Sequence, residues 1–225
     1  MTPDGSKVYV ASGGGDINNT VSVIDTATNT VIATIPVGNL PIGVAVTPDG
    51  SKVYVTNAIS NTVSVIATAT NTVIATIPVG LFYPWGIVVT PDGSKVYVAM
   101  DGSTGSCPFA CSNVVVIATA TNTVIATIGV PSGPAGVAVT PDGSKVFVAN
   151  QSGGNVSVID TATNIVTTTI PVGDNPIAFG IFIQPPPRFA GTPEHSPIAT
   201  ARASRRSPGS MAGSMPLPQR WGTPA

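Results

Sequence analysis

The nine-residue line Thr-Pro-Asp-Gly-Ser-Lys-Val-Tyr-Val constrains the fold most, because the chain contains it three times and a fourth time with Phe in place of Tyr. The copies begin at Thr2, Thr47, Thr90 and Thr140, so successive copies lie 45, 43 and 50 residues apart. A period of this length is typical of architectures built from stacked repeats. Residues that recur in every repeat mostly build scaffold, so we expect the features specific to this protein where the copies differ.

Each repeat contains four short segments that predict β-strands. In the second repeat these segments are residues 43–47, 52–56, 62–66 and 72–77. Val, Ile, Thr and Tyr dominate them, and these residues favour a pleated, buried surface. The Pro-Asp-Gly-Ser segment between the first two strands has turn chemistry, because Pro presets the backbone and Gly accepts a positive φ. No stretch of the sequence has a convincing helical period.

Four antiparallel strands in about 40 to 45 residues match the size of one β-propeller blade. Blades pack between neighbours, so both faces of a strand are buried and strict alternation is lost, as in Val53-Tyr54-Val55. Only 8% of residues are charged, yet no apolar run reaches the roughly 20 residues of a membrane-spanning helix. The sequence therefore predicts an all-β fold, a β-propeller with four repeat units and no membrane span.

The order of strands at the two ends predicts how the ring closes. The chain enters at a second strand, Val8-Tyr9-Val10, and residues 178–183 form a first strand without a partner. Pairing residues 178–183 with the first three strands would complete a fourth blade and remove exposed sheet edges. The alternative is that two chains join as a homodimer into one eight-bladed ring.

The motif Tyr54-Val55-Thr56-Asn57 resembles the signature of the YVTN-type β-propeller repeats. The recurring Thr-Pro-Asp-Gly-Ser-Lys-Val-Tyr-Val and Val-Ser-Val-Ile-Asp-Thr-Ala-Thr-Asn segments resemble the same repeats, and the resemblance covers residues 1–183. It implies a secreted or cell-surface propeller, often of the surface-layer-like kind, and it implies no single activity. Members of that family usually carry about seven blades, so four repeats depart from the pattern.

The composition changes at residue 184, and we divide the chain into a propeller, residues 1–183, and a tail, residues 184–225. The tail holds nine prolines, all five arginines, the one His and the one Glu. It has no strand or helix pattern and is predicted to be disordered. A basic run at residues 202–206 could touch nucleic acid, but a solvated extension is the simpler interpretation, and we expect no nucleic-acid partner. Translation out of frame would also produce such a tail.

Binding usually resides on variable loops that a rigid frame holds. The turns between the first and second and between the third and fourth strands are nearly uniform. The loops at the other ends of the strands differ between repeats, so we expect any partner, a protein or a glycan, on that face. Phe82, Tyr83 and Trp85 form the densest aromatic cluster there, and Asp101 lies in a neighbouring loop. The aromatic residues could stack on a sugar or anchor a protein; alternatively they plug the top of the central channel or pack against the long neighbouring loop.

Cys107 and Cys111 are the two cysteines of the chain, and they lie in one variable loop. In an exported protein a disulfide between them is the leading interpretation, and it would contribute about 2 kcal/mol or less because the loop is short. Two thiols without His are too few ligands for a metal site, so we predict no metal. The spacing also differs from the Cys-X-X-Cys of redox motifs.

Catalysis has little support, because the repeats contain no His, Glu or Arg. Asp25 and Asp160 occupy equivalent hairpin positions, where they are predicted to cap a turn. Asp16 and Asp101 are two isolated carboxylates, a weak case for Ca²⁺. We therefore expect no cofactor and no enzymatic activity. The alternative is a lactonase-like propeller enzyme, or a fragment of a larger propeller protein, with its chemistry in the channel.

The expected location is outside the cell or on its surface. No signal peptide is visible, since Met1-Thr2-Pro3-Asp4 leads directly into a repeat. Either export information was lost with a missing N-terminal part or the protein is cytoplasmic. The Thr-, Ser- and Gly-rich composition and the resemblance both favour the outside of the cell.

Overall fold

The computed structural model describes residues 1–14, 19–102 and 112–177. This part of the chain forms fifteen β-strands and a short 3-10 helix, Gln151–Gly153. The strands are β1 (Lys7–Gly13), β2 (Asn19–Asp25), β3 (Thr30–Pro36), β4 (Pro41–Val46), β5 (Lys52–Asn57), β6 (Thr62–Ala67), β7 (Thr72–Pro78), β8 (Pro84–Val89), β9 (Lys95–Met100), β10 (Asn113–Ala118), β11 (Thr123–Gly129), β12 (Pro134–Val139), β13 (Lys145–Asn150), β14 (Asn155–Asp160) and β15 (Ile165–Pro171).

The strands form four antiparallel sheets, which we call blades 1 to 4. Blade 1 contains β1 to β3, and blades 2, 3 and 4 each contain the next four strands in order. The predicted all-β fold of antiparallel blades is confirmed, and the four strands predicted in the second repeat correspond to β4 to β7. No helix in the described ranges is long and apolar enough to cross a membrane.

The predicted closing strand, residues 178–183, lies outside the described residues, so closure of the ring by one chain stays a prediction. The chain divides into two units, Met1–Pro186 and Pro187–Ala225. The predicted boundary at residue 184 and the tail also lie outside the described residues. Blade 1 therefore has three described strands. Among the described strands, β1 pairs only with β2.

The Thr-Pro-Asp-Gly-Ser turn is held by its own side chains. In blade 2, Asp49 accepts hydrogen bonds from the Thr47 hydroxyl, the Ser51 N–H at 3.0 Å and the Ser51 hydroxyl at 2.8 Å. Gly50 adopts a φ of 72°, a left-handed conformation that costs glycine little. The Ser N–H to Asp bond recurs in the other three repeats, and the Thr hydroxyl to Asp bond recurs in blades 3 and 4. The sequence identity of this turn is therefore explained by its local geometry.

Adjacent blades are joined by two side chains of the strand that follows the Thr-Pro-Asp-Gly-Ser turn, namely β1, β5 or β9. We call this pair of side chains the latch. The Lys that opens this strand donates from Nζ to a Thr carbonyl in the Thr-Ala-Thr-Asn turn of the next blade. The Tyr two residues later donates its hydroxyl to the Asn Oδ1 of that turn. The latches are Lys7–Thr68 (2.8 Å) with Tyr9–Asn71 (3.2 Å), Lys52–Thr119 (2.8 Å) with Tyr54–Asn122 (2.8 Å), and Lys95–Thr161 (2.6 Å) with Tyr97–Asn164 (2.8 Å).

In blades 2 to 4, the Asn of the Thr-Ala-Thr-Asn turn has two roles. It adopts a positive φ, for example 53° at Asn71 and 54° at Asn122, a region that Asn tolerates better than most residues. Its side chain also accepts the Tyr hydroxyl of the latch. One residue therefore shapes the hairpin and receives the neighbouring blade.

Apolar cores fill the spaces between neighbouring blades. The core between blades 2 and 3 includes Tyr54, Val65, Val98 and Ile117, all of them fully buried. Burial of one such side chain contributes about 1.5–3 kcal/mol. Packing between blades therefore contributes to stability, and it buries both faces of the middle strands.

The inner strands approach one another closely at glycine positions. A Cβ built on Gly43 of β4 would lie 2.5 Å from the carbonyl oxygen of Trp85 in β8. Gly86 of β8 faces the carbonyl oxygen of Ala135 in β12 in the same way. The small residues of these strands therefore permit close backbone contact between neighbouring inner strands.

The outermost strand of each blade contains a β-bulge. Its extra residue has no partner in the ladder; these residues are Ile32, Ile74, Ile125 and Thr167. The three isoleucines are about half exposed, at 47%, 52% and 50%. Bulges interrupt an exposed strand edge and hinder its pairing with other chains. The rim of the propeller is thus protected by backbone geometry rather than by charge.

Candidate binding face

The turns that recur in every repeat use their polar groups within the scaffold. Thr68, from the second hairpin of blade 2, donates its hydroxyl to Gly50 O at 2.6 Å and so joins the two turns at this end of the blade. Clefts of about 140, 260 and 380 Å³ lie between the turns of successive blades, and Asp49 and Lys52 line the first. Because their carboxylates and amines already have partners, we interpret this uniform face as structural.

The aspartates of the uniform turns have low pKa values. The hydrogen bond from the Thr47 hydroxyl, followed by those from Ser51, lowers the pKa of Asp49 to about 2. Equivalent contacts lower the pKa values of Asp4, Asp92 and Asp142 to about 2. Hydrogen bonds to the ionised form favour it, and these groups are therefore charged throughout the physiological range.

Asp25 and Asp160 cap the hairpins of blades 1 and 4, as the sequence predicted. Asp25 accepts the Thr28 N–H at 2.8 Å, and Asp160 accepts the Thr163 N–H at 2.8 Å. These backbone hydrogen bonds are the largest cause of a lowered pKa at both carboxyls. The two residues are thus turn elements rather than partners in a shared site.

The segment Tyr54-Val55-Thr56-Asn57 is scaffold at each polar position. Tyr54 belongs to a latch, and the Thr56 hydroxyl accepts the Gly43 N–H at 2.8 Å and donates to Trp85 O at 2.9 Å. Asn57 donates to the Ser64 hydroxyl at 2.9 Å and is fully buried. These contacts account for Tyr54, Thr56 and the amide nitrogen of Asn57, whereas Asn57 Oδ1 is buried without a hydrogen-bond partner among the described residues.

The loops at the opposite ends of the strands share a backbone frame although their sequences differ. After the second strand of each of blades 2 to 4, an N–H donates to a carbonyl in the loop that precedes the blade. The three bonds are Ala58 N–H to Leu40 O (2.8 Å), Asp101 N–H to Tyr83 O (3.0 Å) and Gln151 N–H to Gly133 O (2.7 Å). We call this surface the variable face. Its side chains can change without altering the hydrogen bonds that hold its loops.

Side chains reinforce the frame between blades 1 and 2. Asn19 of β2 accepts the Leu40 N–H at 2.9 Å and donates to Asn39 Oδ1 at 3.0 Å. The Ser60 hydroxyl accepts the Asn39 N–H at 2.7 Å. The loop between these blades is therefore fixed from both sides, which preorganises this part of the variable face.

The aromatic cluster divides between the core and the surface. Phe82 is half-buried and packs against the core between blades 2 and 3. Tyr83 and Trp85 are also half-buried, and the carbonyls of both accept hydrogen bonds from neighbouring strands. Packing thus accounts for Phe82, whereas Tyr83 and Trp85 have partly exposed side chains held on a fixed backbone.

Asp101 lies beside the aromatic loop. Its N–H to Tyr83 O bond brings these two predicted site residues together, and its side chain is 8% exposed. Cys107, Cys111 and Asp16 lie outside the described residues, so the predicted disulfide stays a prediction. Within the described ranges, no three His, Cys, Asp or Glu residues lie close enough to hold a metal ion.

The structure adds two apolar side chains to the variable face. Leu81 is 79% exposed next to the aromatic loop, and Ile59 is 55% exposed in the loop after β5. Neither residue was among the predicted site residues. The available signal was a large apolar side chain in a loop, but exposure depends on how the loop folds, which the sequence did not specify.

Comparison with known proteins supports the fold. A sequence model of the YNCE-like beta-propeller family matches residues 4–104. No curated protein matches the chain. Among solved structures, a chain described as Kuenenia stuttgartiensis hydrazine synthase is similar, with a TM-score of 0.69 and 32% sequence identity. The four described blades and these similarities together show that the chain is a β-propeller.

The similarity to the hydrazine synthase chain covers 77% of this protein but 48% of the other chain. This protein therefore spans about half the length of that relative. The activity named for the longer chain belongs to that protein, and the shared feature is the propeller.

Proposed function

We propose that this β-propeller is a non-catalytic interaction or structural module that binds a protein or a glycan through its variable face. The three equivalent backbone hydrogen bonds of that face carry the proposal, because they hold loops of unrelated sequence in a constant geometry. A rigid frame with variable side chains is a common arrangement for recognition. By contrast, the residues that recur in every repeat are explained by turns, latches and cores.

The centre of the proposed site is the loop between blades 2 and 3. Leu81 offers exposed apolar surface, and Tyr83 and Trp85 offer partly exposed rings. Aromatic side chains contribute strongly to protein interfaces and can stack on sugar rings. Asp101 is buried, and its N–H bond to Tyr83 O helps to fix the path of the loop.

A role outside the cell, as in surface-layer-like proteins, is the second part of the proposal. It rests on the resemblance of the repeats to the YVTN type and on the Thr-, Ser- and Gly-rich composition. This location can be tested by fractionation of the native host. We expect the protein in the medium or on intact cells. Recovery in the cytoplasm alone would overturn this part.

The test of the binding site compares a variant of the loop between blades 2 and 3 with a variant on the rim. The triple variant Leu81→Ala, Tyr83→Ala, Trp85→Ala should lose retention of its partner on a glycan array or in a capture assay from the native host. Ile125→Ala, on the rim and 50% exposed, removes exposed apolar surface away from the loop and should leave binding unchanged. Equal binding by both variants, with melting temperatures that show both are folded, would contradict the site.

An enzyme is the second candidate, because the hydrazine synthase chain is 32% identical over the shared region. In that case this chain would be a lactonase-like propeller or a fragment of a larger one. The described aspartates with shifted pKa values all have lowered ones, which does not suit general acids at neutral pH. Lactone hydrolysis that disappears in Asp101→Asn would favour the enzyme over the binding module.

A further inference from the structure

The latch has an unmatched half at each end of the described blades. Lys145 of blade 4 corresponds to Lys7, Lys52 and Lys95, which all reach the next blade. Its ammonium has no hydrogen-bond partner among the described residues, and its side chain is exposed, whereas the other three lysines are half-buried. The second strand of blade 4 therefore presents a donor that three equivalent strands use.

Blade 1 presents the matching acceptor. Asn29 adopts a φ of 55°, the conformation of the Asn residues that receive a latch in blades 2 to 4. Those three residues are half-buried, but Asn29 is exposed and its side chain makes no hydrogen bond within the described ranges. The turn at residues 26–29 therefore has the shape of a latch acceptor and no neighbouring blade on it.

We propose that blade 4 of one chain docks against blade 1 of a second copy of the same chain, through a latch between the Lys145 strand and the turn at residues 26–29. The chain carries both halves of an interface that it forms three times internally. Its own two halves are not joined in the structure. Two copies related by a twofold axis would satisfy both ends, because each contributes one donor edge and one acceptor edge.

The fourth copy of the repeat differs at one residue of this interface. Phe147 stands where the other repeats have the Tyr of the latch, so blade 4 has no hydroxyl to donate to Asn29. The interface between copies would therefore have one hydrogen bond fewer than the interfaces inside the chain. This difference predicts an association that is specific but weaker than the contact between internal blades.

Native mass spectrometry and sedimentation of the full chain test the stoichiometry. We expect a mass of twice 22.5 kDa at micromolar concentration. A monomer over the whole concentration range would overturn the proposal, since it would mean closure within one chain or edges that stay free. Masses that grow beyond the dimer would also overturn it, because they indicate an open series of contacts.

A gain-of-affinity variant tests the surface. Phe147→Tyr should restore the hydrogen bond to Asn29 and tighten the dimer about fivefold for each interface, the effect of roughly one hydrogen bond. Asn29→Gly retains the positive φ but removes the acceptor, so it should abolish this gain when the two changes are combined. Tyrosine occupies the equivalent position in three blades, and the variant should therefore fold.

Tyr97→Phe is the matched control, because it removes a latch inside the chain rather than between copies. It should lower the midpoint of urea denaturation and leave the dimer dissociation constant unchanged. A dissociation constant that is the same in Phe147→Tyr, Asn29→Gly and the unmodified protein would show that any dimer uses another surface. The proposed function is independent of this result, since it concerns the variable face.

Discussion

Replacing Gly43 with alanine tests how closely the inner strands pack. The new Cβ would lie 2.5 Å from Trp85 O, 2.9 Å from the Ile87 Cγ2 atom and 3.0 Å from Thr56 Oγ1. An ordinary van der Waals contact begins near 3.4 Å, so β8 would have to move by about 1 Å. The obstacle is backbone, which cannot rotate away as a flexible side chain can.

The cost follows from two contributions. Overpacking of this kind costs about 1–3 kcal/mol. The movement also weakens the chain of hydrogen bonds from Gly43 N–H to the Thr56 hydroxyl and on to Trp85 O, which adds about 1 kcal/mol. We therefore expect a loss of about 3 kcal/mol in the free energy of unfolding, or about 6–12 °C in the melting temperature for a domain of this size.

Thermal and urea denaturation followed by circular dichroism measure this loss. Gly129→Ala is the matched control, because no heavy atom lies within 4 Å of a Cβ built there and its φ is not positive. That change should be neutral or stabilise by up to about 1 kcal/mol, through the lower entropy of the unfolded chain. A Gly43→Ala protein that melts within about 2 °C of the unmodified protein, or equal losses in both variants, would refute close backbone packing at the axis.

Three further predictions concern the latch and the titrating groups. Tyr54→Phe removes the 2.8 Å hydrogen bond to Asn122 and should cost about 1 kcal/mol in urea denaturation; an unchanged midpoint would argue against the latch. Hydrogen bonds lower the pKa values of the four turn aspartates from the ordinary 3.8 to about 2 in the fold, so stability should be constant from neutral pH to about 4 and fall towards pH 2. A fall that is complete above pH 5 would contradict this assignment. Burial raises the pKa values of Tyr54 and Tyr97 from 10.0 to about 12, so stability should be complete below pH 10 and decline towards pH 12, with tyrosinate absorbance rising late; early ionisation of all tyrosines would contradict their burial.

The candidate site shows where prediction from sequence was incomplete. Divergence between repeats identified the variable face, and the structure places Tyr83 and Asp101 together there through a backbone hydrogen bond. The sequence did not distinguish Phe82, which packs on the core, from the more exposed Leu81. Both are apolar residues of one loop, and only the path of that loop decides which side chain faces the protein.

The repeats determined the strands, the turns and the class of fold, because these depend on local chemistry and on a pattern written four times. A Gly at a left-handed turn acts in the same way in each repeat, and segments rich in Val, Ile, Thr and Tyr favour strands in each repeat. The tertiary structure alone decided the partners of Lys52, Tyr54 and Gly43, which contact the next blade at separations of 40 to 70 residues in sequence. It also showed that Lys145 and Asn29 are exposed. Their exposure depends on which blades meet in the fold, and the residues within either blade do not determine that.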